Sequence, residues 1–274
     1  MTATTSAPHT ARPRTQPASR LGFGRVLRSE FIKLTTVRST WWSLAITLVL
    51  GVGISILYAV AVVESDSADL MPAILVVIAP IQLTMLVAGV LGALAVTGEY
   101  STGMIRSTLT AEPVRGIVLV TKALAVALLL MATQLVTVVT ALAATAPILS
   151  TGIDWADPGE SWYPVLWSIV SMAVYALIGV GSGFLIRNGG GAISATVVLL
   201  FVLPIILAIF SVGGEAWQWV ADLSQYLPAS AGQELMTPTS MLSDNSLARN
   251  TITLLAWPAA LLTGGWLVLR TRDA

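Results

Sequence analysis

Apolar residues run through this chain in long unbroken blocks, without the strict apolar–polar alternation of a half-buried strand. Six blocks reach roughly the 20 residues that a helix rising about 1.5 Å per residue needs to cross about 30 Å of hydrocarbon. They are Trp41–Val63, Pro72–Thr97, Ile117–Leu149, Pro164–Ile186, Ala192–Val212 and Thr251–Leu269. The third exceeds a simple crossing and should tilt or project. An outer-membrane barrel would show a dyad pattern in each segment, so helices remain as the way to satisfy the backbone in lipid. The pattern therefore predicts an all-α polytopic membrane protein with six transmembrane helices. The first block is too long for a signal-peptide core and should stay as a span. Ahead of it, Arg25–Thr40 places Leu27, Phe31 and Leu34 at helical spacing among Arg28, Lys33 and Arg38. That is the pattern of a basic amphipathic helix lying in the membrane interface, with Trp41 and Trp42 anchoring the span behind it.

Composition agrees with lipid as the main solvent. Of 274 residues, 55% are hydrophobic and 10% charged, against roughly 25% charged in a soluble domain. Residues 1–24, rich in Thr, Ala, Pro and Arg, read as a disordered cytoplasmic tail before a transmembrane domain over 25–274. Net charge is zero, which argues for no nucleic-acid partner, but its distribution is lopsided. With the N-terminus in the cytoplasm, 13 of the 14 basic residues fall on the cytoplasmic side and Arg249 alone falls outside. Ten of the 14 acidic residues lie on that outer side. The positive-inside bias thus predicts cytoplasmic N- and C-termini. The absence of cysteine removes disulfides, thiolate metal sites and Cys nucleophiles, and the single His9 lies in the tail.

The connection between spans two and three is longer than a linker requires. It runs Gly98-Glu99-Tyr100-Ser101-Thr102-Gly103-Met104-Ile105-Arg106 and on through Glu112-Pro113-Val114-Arg115. Glycines suited to turns and a proline suited to a helix boundary frame its charged ends, so it reads as a docking surface for another protein.

Three segments carry a resemblance. Ser29-Glu30-Phe31-Ile32-Lys33-Leu34 through Arg38-Ser39-Thr40-Trp41-Trp42, the Gly98–Arg106 run, and Leu227-Pro228-Ala229-Ser230-Ala231-Gly232-Gln233 are similar to ABC-2 type permeases, the six-helix membrane subunits of ATP-binding-cassette exporters. The likeness extends from about Arg25 to the C-terminus. It implies an interfacial helix containing Arg28, Glu30, Lys33 and Arg38, and a short cytoplasmic coupling helix that docks in a cleft of the ATPase. Glu99, Tyr100, Gly103, Arg106, Glu112 and Arg115 fall in that coupling segment. It also implies a homo- or heterodimer of permeases with a separate ATPase that carries the ATP and Mg, and no cofactor in this chain. Met104 departs from the threonine that many members place after the glycine.

The long connection 213–250 holds Trp217, Trp219, Tyr226 and Leu227, which predicts one or two short helices at the outer lipid boundary. Pro80, Pro204 and Pro258 should interrupt their helices. Gly179, Gly181 and Gly183 offer a close-approach face in span four. No phosphate-binding loop, His-Glu-x-x-His or intramembrane aspartate pair occurs, so catalysis within the chain is not expected. No charge lies near mid-bilayer, which disfavours ion coupling. Polar positions such as Gln82, Thr84, Gln134, Thr137 and Tyr175 suit amphipathic, drug-like or lipid-like cargo, or else interhelical hydrogen bonds. The reading is an ATP-driven permease of a prokaryotic plasma membrane. A membrane anchor or signalling subunit, and an ion-coupled carrier, are the alternatives.

Overall fold

In the computed structural model, residues 22–65, 71–112, 114–149, 152–210, 217–242 and 246–271 are described. The tail expected over 1–24 lies almost wholly outside them. Its last residues do not: helix α1 starts at Phe23 and runs to Thr36, two residues before the anticipated domain edge.

Among the described residues six helical stretches are long and apolar enough to cross a membrane, and there is no strand. Span one is α2, Arg38–Glu64. Span two is two pieces, α3 (Ala73–Ile78) and α4 (Ile81–Ser101), broken at Pro80, whose ring nitrogen has no hydrogen to donate. A short helix α5, Met104–Ala111, precedes span three, α6, Arg115–Thr145. Span four is α7, Trp162–Ile186. Span five is α8 (Gly189–Val197), a π-helical turn at Val198–Val202 and α9 (Leu203–Phe210). The wide turn directly precedes Pro204, where an α-turn would require a donor that proline lacks. Beyond it, α10 (Gln218–Asp222) and α11 (Pro228–Leu235) provide the two short helices expected in the long connection. Span six, α12, runs Ser246–Thr271 and passes through Pro258 without a break, contrary to expectation.

Burial ranks the spans. In span four 72% of the hydrophobic window is buried and in span two 61%, whereas span five buries only 11%. The centre of the fold is therefore the α4–α7 pair, and its contact is made by backbone. A Cβ on Gly179 would stand 2.0 Å from the Gly89 carbonyl oxygen, and one on Gly92 would stand 2.1 Å from that of Ala176. Such approach is the small-residue solution to packing where lipid offers no hydrophobic drive. Gly183 joins this face, its notional Cβ 2.8 Å from Val96 Cβ. Gly181 does not: it faces Leu261 on α12, 2.6 Å away. The three glycines thus form two faces, because two residues of helix turn the side-chain direction by about 200°.

At the acidic end of the bundle, α11 folds back onto the core, burying Ala229, Ala231 and Leu235. A Cβ on Gly232 would sit 2.1 Å from the hydroxyl of Tyr175, which is itself fully buried in α7. Trp217, Trp219 and Tyr226 remain exposed. Buried threonines mostly bond to their own helix. Thr137 Oγ1 donates to Thr133 O at 2.9 Å and Thr196 Oγ1 to Ala192 O at 2.8 Å, so Thr137 is not the interhelical bond considered from the sequence. Ser55, whose Oγ donates to Val77 O at 3.1 Å, does join two spans.

Candidate functional site

Helix α1 packs on the opposite, basic end of the bundle. Its periodicity places Leu27, Phe31 and Leu34 on one face, yet the residues it buries deepest are Val26, Glu30 and Leu34. The rotation brings a carboxylate inward, which would be costly without partners. Those partners are two lysines. Lys122, one-quarter of the way along α6, donates to Glu30 Oε2 at 2.6 Å and to Glu99 Oε1 at 2.7 Å. Lys33 donates to Glu30 Oε1 at 2.7 Å and to the same Glu99 oxygen at 2.8 Å. Lys33 also reaches Thr108 Oγ1 of α5 at 3.4 Å. Four helices are thereby tied at one point: α1, α4, α5 and α6.

The cluster is sealed on one side. Side-chain exposure is 2% at Glu30, 4% at Glu99 and 4% at Lys122, against 29% at Lys33. Burial alone would pull the Lys33 ammonium down, but hydrogen bonds and charge from Glu30 and Glu99 outweigh it and hold it above the ordinary lysine value of 10.5. The ammonium therefore stays charged at neutral pH.

Helix α5 begins at Gly103, whose φ of 71° lies in the left-handed region that glycine occupies without strain. Ile105 is buried and anchors the helix. Met104, Arg106, Ser107 and Thr110 are exposed on its outside. Glu112 folds back so that its Oε1 accepts from Val114 N at 3.2 Å, closing the turn into α6. Arg115, at the start of α6, donates to the carbonyl oxygen of Leu269 in α12. Tyr100 lies under the guanidinium of Arg187, 5.3 Å from its ring centre.

Of the residues singled out from the sequence, Glu30, Lys33 and Glu99 thus meet in one cluster. Tyr100 and Arg115 lie on the α12 side, and Gly103, Arg106 and Glu112 shape α5. Arg28 and Arg38 are exposed and belong to neither group.

The order of these parts is amphipathic helix, broken second span, capped short helix, long third span, and a re-entering helix before the last span. Residues 25–274 match the family described as ABC-2 family transporter protein. The chain belongs to that family. No match was found among curated proteins. As an ABC-2 family member it is a transmembrane permease of an ABC transporter, and the family's partner is an ABC ATPase subunit.

Two further residues of this ABC-2 site, Lys122 and Arg187, enter the sequence pattern only among the 13 basic residues of the cytoplasmic side. Lys122 is the cluster's buried hub, and the signal for it is its place five residues past Ile117, inside an apolar span and just across the connection from Glu99. Arg187 ends α7 with φ 57°, an unusual conformation for a side-chain-bearing residue. Its Nη2 donates to Val268 O of α12 at 2.9 Å while its guanidinium covers Tyr100, so tertiary contacts hold the turn.

Proposed function

We propose that this chain is the permease subunit of an exporter powered by a separate ATP-binding-cassette ATPase that carries ATP and Mg, and that α5 is its coupling helix. In this reading the basic end faces the cytoplasm, both termini are cytoplasmic, and the complex sits in the plasma membrane with a second permease copy. The observation that carries the reading is the fixing of α5. The helix has an exposed outer face around Arg106, and through Thr108 and Lys33 it is joined to the cluster holding α1, α4 and α6. Closure of the ATPases would press on α5, and the linked helices would shift the bundle between inward- and outward-open states. The cargo is amphipathic, drug-like or lipid-like.

Charge reversal at the exposed Arg106 tests this. Arg106→Glu is expected to insert normally but to lose co-purification of the ATPase and transport with it. Undiminished docking would rule out the coupling role. Failure of any nucleotide-binding protein to co-purify with the native chain would favour an anchor or signalling subunit, and transport without ATP would favour an ion-coupled carrier.

A further inference from the structure

A cavity of ≈ 670 Å³ opens beside the ion cluster, bounded by α1, α2, α4 and α5. Its volume lies in the range of roughly 300–1,000 Å³ typical of small-molecule sites. Leu34, Leu91, Leu94 and Ala95 give it an apolar wall, and the exposed Val37 and Leu94 are part of its lining. At its polar end stand the four charged residues already described.

These charges are unequally satisfied. Both oxygens of Glu30 accept an ammonium, and Glu99 Oε1 accepts two. Glu99 Oε2 is buried and has no hydrogen-bond partner among the described residues. A sealed carboxylate oxygen without a donor is costly, and few survive in folded proteins. The four charges lining the cavity sum to zero, so a preference for a charged headgroup must come from this one oxygen. The site thus combines an apolar chamber with an unfilled carboxylate acceptor. A carboxylate headgroup would bring only acceptors to it, and an alcohol would supply a donor but no charge.

We propose that this cavity binds amphipathic amines, with the protonated nitrogen donating to Glu99 Oε2 and the apolar body lying along Leu91, Leu94 and Ala95. The proposal deepens the permease reading and rests on it for its meaning as a cargo site. It assigns to the same cluster both the linkage of α5 and the recognition of a headgroup.

The test uses the full-length chain in nanodiscs without nucleotide. Dodecylamine bearing a terminal diazirine is photolysed on the protein and the labelled residues are mapped by mass spectrometry, with the matching alcohol and carboxylate as controls. Labelling over residues 91–102 and 34–40 should favour the amine over the carboxylate by about tenfold or more, the scale of one hydrogen bond to a charged group. Ala95→Trp fills the chamber while keeping all four charged side chains, and should abolish this labelling while leaving that of span five unchanged. Glu99→Gln should remove the preference for the amine over the alcohol. Labelling no denser than on span five, labelling insensitive to Ala95→Trp, or equal labelling by amine and carboxylate would each overturn the proposal. ATPase co-purification is scored separately. Its absence sinks the permease reading alone, whereas an ATPase-bound chain with an unlabelled cavity sinks this site alone.

Discussion

Replacing Lys122 by methionine keeps an unbranched apolar stem of similar reach and removes one charge. In the native chain that charge is 2.6 Å from Glu30 Oε2 and 2.7 Å from Glu99 Oε1. Its loss leaves two carboxylates, each no more than 4% exposed, facing each other across the vacated position. Removing one partner of a buried pair typically costs about 3–5 kcal/mol. Here Lys33 still bridges both acids, so the lower end, about 3 kcal/mol, is the expected value. Because α1 owes its inward carboxylate to this cluster, the cost should appear as opening of α1 before global unfolding. Hydrogen exchange of the Val26–Leu34 amides in nanodiscs should quicken by about a hundredfold. Adding Glu30→Gln to Lys122→Met removes the unpaired charge and should restore much of the protection, a coupling that a double-mutant cycle reads directly. Unchanged α1 exchange in Lys122→Met, in protein that still expresses and inserts, would refute the claim that the cluster holds this helix.

Three further outcomes are expected. Gly179→Ala places a methyl 2.0 Å from the Gly89 carbonyl and should destabilise by about 1–3 kcal/mol in thermal or denaturant melts, whereas Gly53→Ala, with nothing within 4 Å, should be silent. Gly232→Ala should loosen α11, measured as faster exchange over Ala229–Leu235, and Tyr175→Phe should partly rescue it by deleting the hydroxyl 2.1 Å from the new methyl. Because the Lys33 value is raised on docking, its stabilisation is complete below the ordinary 10.5 and is lost as pH rises through the higher docked value. Protection of α1 should therefore hold steady between about pH 6 and 9 and fall only above about 10.5; loss near neutrality would contradict the assignment.

The spans were legible because length and apolarity in lipid leave few options, and their ends moved by only a few residues. Helix α5 was foreshadowed by Gly103 and the charged turn around it. The facing of α1 was not, because a hydrophobic periodicity treats Glu30 as solvent-side, and its burial is made tolerable by Lys33 together with a lysine 92 residues away. Lys122 shows only its sign in the sequence, since neither spacing nor composition reveals a partner on another helix. The division of Gly179 and Gly183 from Gly181 follows from the helical angle alone, which sets residues two apart on opposite faces. Pro258 passed unnoticed through α12, while Pro204 was accommodated by a widened turn, a choice that local sequence does not dictate.

The glycine seam has a mechanical consequence. Most helix pairs meet through side chains, whose rotamers act as springs and absorb part of any sliding. Where backbone rests on backbone that slack is gone, so α4 and α7 are set to travel as one stiff beam. One end of this beam carries Glu99, tied through Lys33 to α5, and its middle carries Tyr175 pressed into Gly232. A push delivered at that end would thus arrive at α11, deep within the bundle, with little lost on the way.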